Sequence, residues 1–121
     1  MAPATATTFD LDRLTRAIES RDAETQLAAY ADDAVVENVD AEHPPSNPVI
    51  VRGREAIGAL LRDVASRDMQ HEVSDAFVSG DRAALRVDCR YPEGARVVCL
   101  ATLELRDGRI IRQRQVQSWD A

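Results

Sequence analysis

The amino-acid sequence predicts one α+β domain in which three N-terminal helices pack on a strongly curved antiparallel sheet. Apolar residues recur at helical spacing up to about residue 66 and alternate in strand fashion after about residue 70. Turn signals separate the alternating segments at Ser79-Gly80-Asp81, Pro92-Glu93-Gly94 and Asp107-Gly108. A length of 121 residues allows one domain with one core. The domain is expected over residues 10–121 and a frayed N-terminus over residues 1–9.

The first two helices are predicted from their caps and from apolar spacing. Asp10 can cap a first helix in which Leu14 and Ile18 lie on one face. Asp22 can cap a second helix, which is expected to end at residues 32–33. Both carboxylates would accept hydrogen bonds from backbone N–H groups that have no partner within the first helical turn.

A strand, a loop and a third helix follow. The β-branched pair Val35 and Val36 begins a strand. Residues 40–48 contain three prolines and are expected to form a loop. A short strand over residues 49–52 then leads to a helix over about residues 54–66, whose apolar residues form a buried stripe.

The rest of the chain is predicted to be antiparallel sheet. The expected strands cover residues 70–78, 83–91, 96–106 and 109–119. Along them one face is apolar and the other is more polar, as in a sheet that is buried on one side. The polar face still carries Val98 and Leu100, so we expect this outer face to be covered by a second copy of the chain in a homodimer.

The last strand has a polar face of regular spacing. Its members are Gln113, Gln115 and Gln117, and Trp119 shares their side. A two-residue hairpin at residues 107–108 would instead turn Arg112 and Arg114 inward without partners, which is costly. We therefore expect a bulge after Ile110 that turns Gln115, Gln117 and Trp119 toward the interior. The alternative is that the glutamines face solvent or a dimer partner.

Composition argues against several classes of function. The formal net charge is −6, and all 15 basic residues are arginines without a basic cluster. Nucleic-acid binding is not expected, because phosphate contacts need concentrated positive charge. Apolar runs are too short for a membrane span, and the N-terminus lacks the apolar and basic regions of a signal peptide. We therefore expect a cytoplasmic protein that does not bind membranes.

Neither a metal nor an organic cofactor is expected. Cys89 and Cys99 lie on consecutive predicted strands at a spacing that fits no zinc motif. They are interpreted as small buried core residues. His43 and His71 lie far apart in sequence and lack the spacing of a metal site.

Four short motifs stand in a characteristic order. They are Tyr-Ala-Asp-Asp-Ala at residues 30–34, Gly-Arg-Glu-Ala-Ile at 53–57, Gly-Asp-Arg at 80–82 and Arg-Asp-Gly-Arg-Ile at 106–110. In this order and spacing the chain, from about residue 10 to residue 119, resembles the SnoaL-like and ketosteroid-isomerase-like branch of the nuclear transport factor two superfamily. The resemblance implies a cone-shaped, cystatin-like fold that is open at one end and holds a small apolar ligand.

The resemblance does not single out a reaction, since the group includes isomerases, cyclases, dehydratases and epoxide hydrolases. Its steroid isomerases use a carboxylate base and an oxyanion hole made by a tyrosine and a protonated aspartate. The matched positions here are Asn38 for the base, Leu14 for the tyrosine, and Ala101 or Thr102 for the aspartate. An amide does not remove a proton from carbon, so steroid isomerase activity is not expected.

Asp40 and His71 are the candidate catalytic residues. Asp40 lies two residues after Asn38, so in an extended strand its side chain points to the same side and could act as acid or base. His71 begins a predicted strand and could transfer a proton near neutral pH. The alternatives are a solvated aspartate that starts a turn and a structural histidine at a strand end. His43 is interpreted as an exposed loop residue.

A ligand site is predicted between the helices and the sheet. The expected polar and aromatic contacts are Tyr30, Asn38, Gln115, Gln117 and Trp119, and the expected apolar wall is Leu14, Leu61, Phe77, Val87 and Leu103. Tyr30 should point inward and bond to Asn38 or to a glutamine amide. The sequence thus predicts a protein that binds a small apolar ligand, with isomerase, cyclase or hydrolase activity left open. The alternative is a non-catalytic binding or dimerisation module.

Overall fold

The structure is a computed structural model that describes residues 8–120. Within these residues the helices are α1 (Leu11–Glu19), α2 (Ala23–Ala28) and α3 (Arg54–Ser66). The strands are β1 (Tyr30–Val39), β2 (Val49–Arg52), β3 (Gln70–Ser79), β4 (Arg82–Arg90), β5 (Arg96–Arg106) and β6 (Arg109–Trp119). No helix in the described part of the chain is long and apolar enough to cross a membrane.

The predicted frayed N-terminus is only partly described. Residues 1–7 lie outside the described residues, so the prediction stands untested there. Phe9, in contrast, is buried and belongs to the same core cluster as Leu14 and Tyr30. The ordered domain therefore includes this residue, because removing an aromatic ring from water stabilises the folded chain.

The strands of residues 8–120 form one curved sheet in the order β2-β1-β6-β5-β4-β3. The predicted α+β class, with three helices packed on the sheet, is confirmed. The prediction of a purely antiparallel sheet is wrong in one respect, because β1 and β6 run parallel while the other neighbours are antiparallel. The parallel pair joins the first and last strands, and no turn signal reveals a pairing between such distant segments.

Side-chain caps begin the first two helices, as predicted. Asp10 accepts a hydrogen bond from Arg13 N at 3.0 Å, and Asp22 accepts one from Thr25 N at 3.0 Å. Each aspartate thereby satisfies a backbone donor that has no partner inside the helix. These caps fix where α1 and α2 start and set the path of the chain into the sheet.

Helix α2 ends earlier than predicted, at Ala28. Ile110 N donates a backbone hydrogen bond to Ala29 O at 2.8 Å, and Tyr30 already pairs with Ile110 across the sheet. Backbone groups that would have extended the helix are thus bonded to the last strand. Tyr30 becomes the first residue of β1 instead of a helical residue.

The last strand contains the predicted bulge after Ile110. Leu105 pairs with Ile110 and Glu104 with Arg112, so Ile111 is an extra residue on β6. Beyond the bulge the pairs are Leu103 with Gln113, Ala101 with Gln115 and Cys99 with Gln117. The three glutamines therefore share the inner face with the buried residues of β5, and the alternative that they face solvent is wrong.

The bulge also keeps two arginines at the outer face of the sheet. Arg112 Nε lies 3.9 Å from Glu104 Oε2, and Arg114 Nε lies 3.7 Å from Glu37 Oε2. Both arginine side chains are about half exposed, so their charges remain near water. The penalty for burying two unpaired guanidinium groups, which motivated the prediction, is avoided in this way.

The core lies between the helices and the inner face of the sheet. Ile57, Leu103 and Ile110 are its largest fully buried side chains. Helix α1 packs on β3, and α3 packs on α2 and β1. The outer face of the sheet is left without a cover in the described chain and carries exposed apolar residues, among them Leu100 and Val116.

Candidate functional site

A cavity of about 160 Å³ lies between the helices and the inner face of the sheet. Four of the five predicted wall residues line it: Leu14, Leu61, Val87 and Leu103. Leu14 comes from α1 and Leu61 from α3, while Val87 and Leu103 come from β4 and β5. Helical spacing and strand alternation turn these side chains to the same side. Small-molecule sites are typically concave, with apolar walls of this kind.

Hydrogen-bonded side chains on β1 and β6 form a polar row at one side of the cavity. We call Tyr30, Gln113, Gln115, Asn38 and Asp40 the polar row. Tyr30 Oη donates to Gln113 Oε1 at 2.5 Å, and Gln113 Nε2 donates to Gln115 Oε1 at 2.6 Å. Gln115 Nε2 donates to Asn38 Oδ1 at 3.0 Å, and Asn38 Nδ2 donates to Asp40 Oδ2 at 2.8 Å. The first three members line the cavity, whereas Asn38 and Asp40 lie outside its wall.

Asp40 ends the polar row as a buried carboxylate. Its side chain is 7% exposed, and His43 Nδ1 and Glu42 N each lie 2.9 Å from Oδ1. Burial opposes ionisation, but the hydrogen bonds from His43, Glu42 N and Asn38 outweigh it and lower the pKa of Asp40 below its ordinary value. The residue is therefore ionised at neutral pH. The alternative is correct in part, because Asp40 starts a turn in which Glu42 N donates to its carboxylate and its backbone pairs with that of His43. The Asp40 side chain is not solvated, however, and the 42% exposed side chain of His43 is its partner.

Tyr30 begins the polar row at its buried end. The residue is 4% exposed and points inward, and its partner is a glutamine amide, as predicted. Burial raises the pKa of Tyr30 far above its ordinary value, and Cys99 acts in the same direction. The phenol consequently stays neutral throughout the physiological pH range. It takes part in hydrogen bonds but is not a source of charge.

His71 and Cys89 lie on another wall of the cavity, on β3 and β4. His71 Nδ1 is 3.1 Å from Cys89 Sγ. Burial lowers the pKa of His71, and the positive charge of Arg21 adds to this, so the imidazole is neutral at pH 7. Burial raises the pKa of the Cys89 thiol, and it raises the pKa of Cys99 to about 12. Both cysteines are thiols at neutral pH, and both line the cavity.

Phe77 is not in the cavity wall, so its predicted position is wrong. Its side chain is 61% exposed on the outer face of the sheet. Simple alternation from Val73 would turn it inward, but β3 has a bulge between Ser74 and Phe77. Asp75, within this bulge, adopts a positive φ of 50°. The extra residue reverses the alternation, and Phe77 pairs with Ala84 on the outer face.

Trp119 is also absent from the residues that line the cavity. It pairs with Val97 at the end of β6 and is 38% exposed. Its position two residues after Gln117 gives it the glutamine side of the strand, as predicted. The strand, however, extends past the residues that line the cavity, so the indole is not part of the wall.

Three polar residues of the cavity wall were not among the predicted contacts: Gln113, Gln26 and Arg21. Gln113 could have been found by extending the alternation from Gln115 back to the bulge. Arg21 adopts a positive φ of 58°, which is uncommon for a residue with a side chain. Arg21 Nη1 donates to Arg67 O at 2.6 Å. No local sequence pattern reveals this contact, because the two residues belong to distant segments of the chain. In residues 8–120 no group of three or more His, Cys, Asp or Glu side chains is arranged to hold a metal ion.

Comparison with known protein families decides the assignment of this fold. The model of the SnoaL-like domain family matches residues 11–113, which is most of the chain. The chain belongs to the SnoaL-like family. No curated protein matches this SnoaL-like chain.

Solved structures resemble this SnoaL-like protein in fold. An NTF2-like protein of unknown function from Mesorhizobium loti has a TM-score of 0.76 at 23% identity, covering 88% of this chain and 85% of its own. A candidate ketosteroid isomerase from Kribbella flavida has a TM-score of 0.72 at 22% identity, covering 91% and 74%. An LEH-like epoxide hydrolase of M. tuberculosis has a TM-score of 0.65 at 24% identity, covering 90% and 78%. At these identities the likeness concerns the fold.

The resemblance matched Leu14, Asn38, and Ala101 or Thr102 to the catalytic groups of steroid isomerases. In the structure Leu14 and Ala101 line the cavity, and Thr102 is exposed on the opposite face of β5. Neither Leu14 nor Ala101 carries an acid or a base, and Asn38 uses both ends of its amide for the polar row.

Proposed function

We propose that this SnoaL-like protein binds a small, mostly apolar molecule that carries one polar group. The observation that carries the proposal is the combination of a largely apolar wall with a hydrogen-bonded row of polar side chains along one side of the cavity. The apolar surface would supply affinity, and the row would orient the polar group. A cavity near 160 Å³ suits a ligand of about one ring, since an engineered cavity of about 150 Å³ binds benzene.

Family membership supports the same proposal. This chain resembles, in fold, a candidate ketosteroid isomerase and an epoxide hydrolase, both of which are named for reactions of small organic molecules. Tyr30, Gln113, Gln115 and Gln117 are the proposed polar contacts, and Leu14, Leu61, Val87 and Leu103 the proposed apolar contacts.

Cyclohexanol is a suitable first probe, and titration followed by ¹H–¹⁵N NMR would test the proposal. Saturable shifts of the glutamine side-chain amide signals are expected, with a millimolar or tighter Kd. Ala101→Leu fills the cavity from β5 and is expected to weaken binding at least about tenfold. Thr102→Leu, on the opposite face of the same strand, should leave the affinity unchanged. A wild-type protein that shows no saturable shifts would contradict the proposal.

Catalysis is the second candidate function. His71 favours it, because a neutral imidazole in the cavity wall can accept a proton from a bound ligand. Asp40 stays a weaker catalytic proposal, since Asn38 lies between its carboxylate and the residues that line the cavity. Incubation with cyclohexene oxide, a probe of similar size that contains a reactive epoxide, distinguishes the two functions. Unchanged epoxide supports a binding module, and conversion with water to the diol, or to an isomeric product, that is lost in His71→Asn supports a hydrolase or an isomerase.

We further propose a homodimer through the outer face of the sheet. Leu100 and Val116 pair across β5 and β6, and each is 55% exposed, so they form a continuous apolar surface. Light scattering is expected to give twice the 13.3 kDa mass of one chain. Leu100→Asp should yield the monomer mass, whereas Ala59→Asp, at an exposed site on α3 on the other side of the sheet, should not. A wild-type monomer at every concentration would rule out the dimer.

We place the protein in the cytoplasm as a proposal, without nucleic-acid or membrane partners. Cys89 and Cys99 line the same cavity as thiols, and a reducing compartment would preserve both of them. Fractionation of cells that produce the protein tests the location. Recovery with a membrane or extracellular fraction would contradict it.

A further inference from the structure

In the polar row each side chain donates a hydrogen bond to its neighbour in one consistent direction. We propose that Asp40 sets this direction. As a consequence, the cavity selects a ligand that donates a hydrogen bond. The expected class is an apolar alcohol or phenol, in preference to the matching ketone. Asp40 acts here as a positioning residue, because it reaches the cavity only through Asn38 and the glutamines. This inference rests on the binding function proposed above.

The Asp40 carboxylate is an acceptor of hydrogen bonds and not a donor. An ionised carboxylate accepts hydrogen bonds and cannot donate them. Asp40 is held in this form by donors from Asn38, Glu42 N and His43, which lower its pKa despite burial. His43 does not change this role of Asp40, because a hydrogen bond between His43 Nδ1 and Asp40 Oδ1 requires the imidazole N–H to donate to the carboxylate. Asn38 must therefore present its NH₂ group, and not its oxygen, to Asp40.

The orientation of the Asn38 amide fixes the orientation of the two glutamine amides that follow it. Once Asn38 Nδ2 faces Asp40, Asn38 Oδ1 faces Gln115, which must present its own NH₂ group. An amide has its donor and acceptor on opposite sides, so Gln115 Oε1 then faces Gln113. Gln113 in turn presents its NH₂ group to Gln115, so Gln113 Oε1 faces Tyr30. The Tyr30 hydroxyl must donate to Gln113 Oε1, because an amide oxygen has no hydrogen to donate.

The polar row offers a ligand one acceptor, at Tyr30, and donors from the glutamine amides. The hydrogen of the Tyr30 hydroxyl is committed to Gln113, so toward the cavity the phenol oxygen is an acceptor. Each glutamine of the row still has a second N–H that can donate to a ligand oxygen. A hydroxyl group satisfies both features, since it donates to Tyr30 and accepts from an amide. A ketone satisfies the amide alone and leaves the phenol oxygen without a donor in a buried site, which costs binding free energy.

Matched titrations with cyclohexanol and cyclohexanone test the inference. The wild-type protein is expected to bind the alcohol about fivefold more tightly than the ketone, the ratio that one neutral hydrogen bond supplies. In Asp40→Asn the new amide can donate as well as accept, so the row can run in either direction. The ratio should then fall toward one. Asp33→Asn, an exposed aspartate on β1, is the control and should keep the wild-type ratio.

Tyr30→Phe provides a second test if Asp40→Asn does not fold. Removing the phenol oxygen should bring the affinities for the alcohol and the ketone to within about twofold of each other, because the alcohol loses its acceptor and the ketone no longer leaves an acceptor unpaired. A ketone bound as tightly as the alcohol by the wild type would overturn the inference, as would an unchanged ratio in a folded Asp40→Asn or Tyr30→Phe protein. Binding of neither probe would instead contradict the proposed binding function. A loss of affinity for both probes in parallel would show that Asp40 is merely structural and would likewise overturn the inference.

Discussion

Ile110→Ala is expected to lower the free energy of unfolding by about 4 kcal/mol. Ile110 is fully buried at the start of β6, next to Tyr30 and opposite Leu105. Truncation to alanine removes buried methyl and methylene groups and leaves a cavity that close-packed neighbours fill only in part. Because a domain of this size is stabilised by only about 5–15 kcal/mol, such a loss is a large share of the total.

Ile111→Ala is the matched control for this prediction. Ile111 is the extra residue of the bulge and is only partly buried, so its truncation should cost about 1 kcal/mol. Urea denaturation measures both variants, with an unchanged m-value expected for each. Equal losses at the two positions would contradict the difference in burial between Ile110 and Ile111.

Gln113→Leu is expected to lower the free energy of unfolding by about 3 kcal/mol. Leucine has a similar volume, so the loss reports the hydrogen bonds more than the packing. The substitution removes the acceptor of Tyr30 Oη and the donor to Gln115 Oε1, which leaves two polar atoms without these partners. Buried polar networks are sensitive to such a break, because an unpaired group keeps its full desolvation penalty.

Gln117→Leu is the control, since Gln117 shares the strand face but lies outside the polar row. It should cost no more than about 1 kcal/mol. A double variant, Tyr30→Phe with Gln113→Leu, should recover part of the loss because one of the two unpaired groups is removed. Denaturant unfolding of the wild type, Tyr30→Phe, Gln113→Leu and the double variant completes the cycle, and Gln117→Leu is measured beside them. Equal costs for the two glutamine variants would contradict a special role for the row.

Several features of the fold follow from local chemistry and could be predicted. Asp10 and Asp22 cap helices because a carboxylate next to a helix start finds free N–H groups wherever it occurs. The bulge after Ile110 followed from the cost of burying Arg112 and Arg114. Since that argument needs only the hairpin signal and the charges, the inward glutamines were accessible from the sequence as well.

The position of Phe77 shows why other features were not accessible. Its outward direction depends on a bulge at residues 75–76 that no proline, glycine or buried charge announces. A single extra residue reverses every later side chain of a strand, so one undetected irregularity misplaces a predicted wall residue. The early end of α2 has a similar origin, because the competing hydrogen bond comes from Ile110.

Local sequence patterns were enough to predict the α+β class, the family, most of the apolar wall and the inward side of the last strand. These features depend on periodicity, turn chemistry and charge, which neighbouring residues express locally. The parallel pairing of β1 with β6, which brings Asn38 beside Gln115, became visible in the folded chain alone. The role of Asp40 at the end of the polar row depends on the same pairing. Contacts across more than 70 residues are set by the free energy of the whole sheet, and no local segment encodes them.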